Sequence, residues 1–293
     1  GYGLNLTELS VPQLLDVIQE TPTAQKNLAR DLIADRNDSD VNAILISRLQ
    51  NSDAMVRRYV LRLLAQRNAL SLDALAAATN DPDELVRVHA FRALREFPAT
   101  AIPEAEASAL LRRGFGDLSA MVRRAAVAAA SRHLSGELTA PLLRMLHTTD
   151  LADVHLRHSI RIALRDHLLN EDWFRDLASR SPLAMDRLAL ADLSLAVKTQ
   201  SAAAFIVSNI EFLGTAQSER LAEFLQFAAQ HVAPEAAANI VATVRTGFAA
   251  NQTLQLQLLN SMRQGFAQRG QNAPSAVHNW ALDTALHLLQ MKS

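Results

Sequence analysis

The chain is predicted to be an all-α superhelical solenoid of stacked helix pairs, and three observations carry that reading. A short signature returns four times, as Asp53-Ala54-Met55-Val56-Arg57, Asp83-Glu84-Leu85-Val86-Arg87, Ser119-Ala120-Met121-Val122-Arg123 and Asp153-Val154-His155-Leu156-Arg157, at intervals of 30, 36 and 34 residues. That period marks arrays in which no unit buries its apolar face alone, so neighbours stack into one core. After each signature, apolar positions fall at helical spacing: Val56, Tyr59, Val60, Leu63 and Leu64; Val86, Ala90, Leu94 and Phe97; Val122, Ala125, Ala126 and Ala129; Leu156, Ile160, Ala163 and Leu164. The composition agrees: 49% of the 293 residues are hydrophobic but only 5% aromatic, and nine Gly and nine Pro leave little room for hairpins. Ala and Leu dominate, which suits close helix-on-helix packing.

Each signature opens the second helix of a pair. In Asp81-Pro82-Asp83-Glu84, Asp81 is expected to cap the helix, Pro82 to be its first residue and Glu84 to close a capping box. The equivalent caps are Asn51 and Asp117, with Asp150 or Leu151 in the last unit. Shorter first helices are expected over residues 39–49, 71–79, 103–113 and 138–147, and residues 11–19 and 23–34 read as a degenerate terminal pair. Beyond Asn170 the signature stops while helical patterning continues over residues 173–180, 183–198, 202–212, 218–230, 234–248, 253–268 and 275–291. Caps are expected at Ser218, at Asn251 or Gln252, and at Ser275, with one clear break at residues 269–274. No Ser, Gly or Pro-rich linker divides the chain, so residues 170–293 are expected to continue the superhelix begun by residues 1–169.

The Asp and Arg of one signature lie four apart on one helical face, where an exposed pair adds about 0.2–0.5 kcal/mol. Stacking also brings the arginine of one unit near the aspartate of the next. This pattern resembles that of HEAT repeats, and the resemblance implies a ladder through Asp53, Arg57, Asp83, Arg87, Arg123, Asp153 and Arg157. Ser119 departs from it and is expected to remove one rung's charge.

A narrower resemblance rests on three segments: TAQKNLARDLIADR at residues 23–36, DVHLRHSIRIALRD at residues 153–166, and RQGFAQRG at residues 263–270 followed by Trp280. In order and spacing they are similar to the helical region of large bacterial proteins that join a sugar-dehydrogenase-like β-propeller, HEAT repeats and a c-type cytochrome domain. The resemblance implies a periplasmic or secreted protein whose redox modules lie outside these residues. A CxxCH motif is missing here, so the resemblance carries neither haem nor dehydrogenase activity onto this sequence. The chain opens Gly1-Tyr2-Gly3 and is expected to be part of something longer.

Several chemistries are disfavoured by the residues themselves. With no cysteine there is no thiolate nucleophile, disulfide or Cys-ligated zinc. A net charge of −1 argues against bulk electrostatic attraction to nucleic acid, and no run of 18 apolar residues offers a membrane span. His155 and His158, three apart with His147 and His167 nearby, have a spacing that suits metal ligands, but further ligands are not evident, so no metal is expected. Asp166 beside Arg165, and Asp172 beside Trp173, invite comparison with HEAT-like DNA glycosylases. Two Trp and two Tyr in the whole chain are too few for a base-extruding cleft. No GxSxG, P-loop or GxGxxG motif occurs, so neither catalysis nor a cofactor is expected.

What remains is a surface. The second helices are rich in arginine, and Arg58, Arg124 and His158 occupy one equivalent position while Arg62 and Arg92 occupy another. With Arg161 they are expected to line one side of the solenoid, docking a flanking domain of the same polypeptide or a separate protein. The alternative is a site for a polyanion such as acidic polysaccharide or nucleic acid.

Overall fold

The structure, a computed structural model, describes residues 5–20, 23–233, 236–270 and 273–290. Among the described residues eighteen α-helices follow one another with no strand, joined by short loops and four 3₁₀ turns. The chain is an α solenoid. It divides into two compact units, Gly1–Ala163 and Leu164–Ser293.

In the first unit α1 (Val11–Glu20) and α2 (Thr23–Ala34) form the terminal pair. Four further helix pairs are α3 (Val41–Ser47) with α4 (Ala54–Gln66), α5 (Leu72–Ala78) with α6 (Glu84–Glu96), α7 (Glu104–Phe115) with α8 (Ala120–Ala130), and α9 (Gly136–Thr148) with α10 (Val154–Leu168), whose residues from Leu164 on belong to the second unit. The second helices α4, α6 and α8 pack side by side. Their buried faces are the anticipated ones, including Val56, Val60, Leu64, Val86, Ala90, Leu94, Val122, Ala126 and Ala129. Tyr59, Phe97 and Ala125 are only half-buried, Phe97 because the helix has already ended there in extended backbone. Close approach of α7 to α6 and α8 depends on Gly114, where a Cβ would stand 2.5 Å from both the Ala126 Cβ and the Phe91 ring.

The caps lie two residues later than expected. Asp53 accepts from the Met55 amide, and Asp83 from the amides of Leu85 and Val86, both in extended backbone that excludes them from the helix. Pro82 therefore precedes the helix instead of opening it. Asn51, Asp81 and Asp117 accept from the amide two residues on, at 2.8 Å in each case, which makes them Asx turns that shape the approach to the helix. Asp150 makes the same turn to Ala152, and Asp153 accepts from the Leu156 amide.

The second unit holds α11 (Glu171–Ser179), α12 (Ala184–Val197), α13 (Gln200–Ser208), α14 (Ile210–Ala216), α15 (Leu221–His231), α16 (Ala237–Gly247), α17 (Gln252–Gln268) and α18 (Ser275–Gln290). Here α11, α13, α15 and α17 pack in succession. The single helix expected over residues 202–212 is two, because Asn209 turns its own side-chain amide onto the Phe205 carbonyl at 2.9 Å and closes α13. Asn251 caps α17 as expected, accepting from Leu254. Ser218 instead begins a 3₁₀ turn without a side-chain cap, and Ser275 is the first residue of α18. Pro234, Gln271, Asn272 and Met291, which bound other expected elements, lie outside the described residues. At Gly265 a Cβ would stand 2.2 Å from the Gln226 carbonyl oxygen, so α17 rests on the backbone of α15. Among the described residues no helix is long and apolar enough to cross a membrane.

Candidate functional site

The arginines of the first unit divide into two populations. One is internal. Arg57 forks onto Asp81, with Nε 2.8 Å from Oδ2 and Nη2 2.7 Å from Oδ1, and Arg87 forks onto Asp117 in the same way at 2.7 and 2.9 Å. Each arginine also donates through Nη1 to two carbonyls of the loop before its own helix: Asn51 and Ser52 for Arg57, Asp81 and Pro82 for Arg87. Arg123 does so to Asp117 and Leu118, while Arg157 donates to Thr149 of its loop and to Leu146 near the end of α9. The signature arginine thus clamps its own loop and, in two units, reaches the next one.

This corrects the expected ladder. Its acids are Asp81 and Asp117, while Asp53 and Asp83 are caps, because the loop aspartate lies nearer the preceding unit's arginine. Ser119 removes no rung, since the acceptor for Arg87 is Asp117. It removes a cap bond instead: Ser119 makes none. The next step is carried by Arg124, 3.2 Å from Asp153. Hydrogen bonds to Asp81 and Asp117 respectively hold the Arg57 and Arg87 guanidinium groups above their ordinary pKa. Burial works against ionisation of Asp117, yet bonds from Arg87 and the Ser119 amide outweigh it and pull the carboxyl below its usual range.

The second population faces outward. Arg62, on α4, and Arg92 and Arg95, on α6, line a cleft of about 650 Å³ whose wall also includes His89, Ala65, Ala93 and Glu96. All three arginines are exposed. None pairs with a carboxylate among the described residues. His89 sits half-buried between the helices. Burial, then the charges of Arg92, Arg58 and Arg62, push its imidazole down to about 4. Arg58 lies 5.8 Å from the Tyr59 ring centroid. The cleft's end is shaped by Asn68, whose φ of 53° terminates the α4 segment, with the Ala69 amide bonded to the Leu64 carbonyl.

Of the six residues expected on the interaction surface, the structure gathers Arg58, Arg62 and Arg92 around His89. Arg124 is committed to Asp153, and the exposed His158 and Arg161 lie on α10 and do not line this cleft. His89 and Arg95 were absent from the expected set. Their signal was present: His89, Arg92 and Glu96 recur at three and four residues, against Arg58 and Arg62 four apart on the neighbouring second helix.

The other candidates are placed more simply. His155 and His158 are both exposed on α10. Among the described residues no group of three or more His, Asp or Glu is arranged to hold a metal ion. Asp166 pairs with Arg165 at 2.6 Å, and Asp172 is an exposed partner of Arg175 at 2.5 Å.

No protein-family model matches the chain, and no curated protein matches it in sequence. Solved structures do. Kap121p bound to Pho4p is 17% identical with a TM-score of 0.54, over 89% of this chain and 34% of that one. Kap121p bound to Ste12p is 16% identical at 0.57, over 87% and 33%, and Kap121p alone is 15% identical at 0.57, over 89% and 33%. The chain spans about a third of the length of these helical-repeat proteins, and the likeness is one of fold.

Proposed function

We propose that this chain is a non-catalytic helical-repeat interaction module whose basic cleft docks an acidic segment of a protein. The observation that carries this is the division of the arginines: Arg57 and Arg87 are consumed within the solenoid, whereas Arg62, Arg92 and Arg95, with no carboxylate partner among the described residues, converge on one cleft beside a histidine already held neutral. Such a site attracts carboxylates and forms forked bonds with them. Kap121p bound to Pho4p and to Ste12p supports the use of this fold as a protein-docking surface. A protein is favoured over nucleic acid or acidic polysaccharide because the cleft mixes Ala65, Ala93 and Glu96 with its arginines and has no aromatic platform for bases. On the resemblance of residues 23–36, 153–166 and 263–270, the partner is a flanking domain of the same polypeptide, in the periplasm or outside the cell.

The test titrates the protein with a glutamate-rich decapeptide and, separately, with heparin. Peptide binding should raise the His89 pKa measured by NMR, because burial holds it near 4 with the help of the arginine charges, and carboxylates offset those charges. An Arg62→Gln/Arg92→Gln variant should bind at least tenfold more weakly with its helix content unchanged. Heparin binding with a steep salt dependence and no peptide binding would establish the polyanion reading instead. No response to either probe leaves a passive spacer.

A further inference from the structure

We infer that the second unit carries a separate binding site for a carboxylate attached to a small apolar group, read by Arg187. This side chain, on α12, lies with its guanidinium carbon 3.8 Å from the centroid of the Phe212 ring on α14. The ring covers one face of the cation. Its Nε is sealed from solvent, and no hydrogen-bond partner reaches it among the described residues. Buried arginine donors are ordinarily satisfied, and leaving one unsatisfied costs stability that packing elsewhere must offset.

The arginine lines a cleft of about 600 Å³, within the size range of small-molecule sites. The other walls are mixed: the aliphatic Val207, Ile210 and Ile240 alternate with the polar Ser208, Asn239 and Thr243. Glu211 also borders the cleft but does not neutralise the cation; its Oε1 leans on α16, 3.2 Å from where a Cβ on Gly247 would sit. With Nε closed off and a ring fixing the plane, the terminal Nη groups are left to meet an oxyanion, and the aliphatic part of the wall suits a short hydrocarbon body behind it. A free organic acid and the C-terminal carboxylate of a peptide ending in leucine share that chemistry.

The experiment titrates the whole chain with hexanoate, with its neutral counterpart hexanamide, and with an acetylated Ala-Ala-Leu tripeptide as acid and as amide, following NMR shifts near Phe212. Hexanoate should saturate, and hexanamide should bind at least tenfold more weakly. The tripeptide acid binding more tightly than hexanoate would identify a peptide terminus as the source; the reverse would identify a free acid. Arg187→Gln should weaken either ligand at least tenfold, while its unfolding midpoint without ligand should be equal to or above the wild type's, since the unsatisfied Nε is gone. Failure of every carboxylate to saturate, equal binding of acid and amide, or loss of folding in Arg187→Gln would each overturn the assignment.

Discussion

In the first unit neighbouring repeats are joined by forked arginine–aspartate pairs; in the second, α15 and α17 are joined by a glycine pressed against a backbone carbonyl. The two devices make different demands on sequence. Arg57–Asp81 and Arg87–Asp117 need two side chains of fixed identity at fixed positions in successive repeats, so they leave a period that can be read. Gly265 against Gln226 needs one small residue and any adequate apolar neighbours. The repeat signature therefore ends near Asn170 while the helices continue.

That contrast makes the glycine the most sensitive point of the second unit. Gly265→Val places two methyl groups where even a Cβ would meet the Gln226 oxygen at 2.2 Å. The expected loss is about 3 kcal/mol, the upper part of the usual range for overpacking. A urea midpoint within experimental error of the wild type would show that α17 is free to move off α15.

Next comes a rung of the ladder. Asp117→Ala removes the forked partner of Arg87 and the turn bond to Ser119, and should cost about 1.5–3 kcal/mol, as for hydrogen bonds to charged groups. The side chains retain only 17% and 12% exposure, so salt should recover little of this. Because the folded carboxyl titrates below its unfolded value, the stabilisation is full above about pH 4 and fades as pH falls through the folded pKa. Stability curves of wild type and Asp117→Ala should approach each other in acid; parallel curves would assign the loss to something other than ionisation.

The caps should matter less. Asp83→Ala forfeits bonds to the amides of Leu85 and Val86 and should cost about 1 kcal/mol. Asp73→Ala, exposed in the first turn of the short α5, should cost no more than about 0.5 kcal/mol. Measured in one urea series, the order Asp117, Asp83, Asp73 ranks ladder above cap above surface, and any inversion would reassign those roles.

The fold was legible because stacking imposes a period, and the helix limits expected for the degenerate terminal pair, residues 11–19 and 23–34, lie within one residue of α1 and α2. The division of labour among aspartates was not legible. Asx turns and caps both call for Asp just before a helix, and choosing between Asp81 and Asp83 requires knowing that Arg57, 24 residues earlier, lies beside one of them. The split at Asn209 was hidden for a similar reason, since a polar side chain that steals a carbonyl leaves apolar periodicity intact on both sides. At the cleft, Arg62 and Arg92 were found through repeat equivalence. His89 was passed over because its spacing to Arg92 and Glu96 is not repeated in the other units.

The central claim is that arginines five residues apart on α6 do opposite jobs, one holding repeats together and one held out for a partner. Urea denaturation of Arg87→Gln and Arg92→Gln tests it with the same chemical change at both positions. Arg87→Gln should lose about 1.5–3 kcal/mol, whereas Arg92→Gln should stay within about 0.5 kcal/mol of wild type or gain slightly as repulsion around His89 is relieved. Equal losses at the two positions would contradict the account.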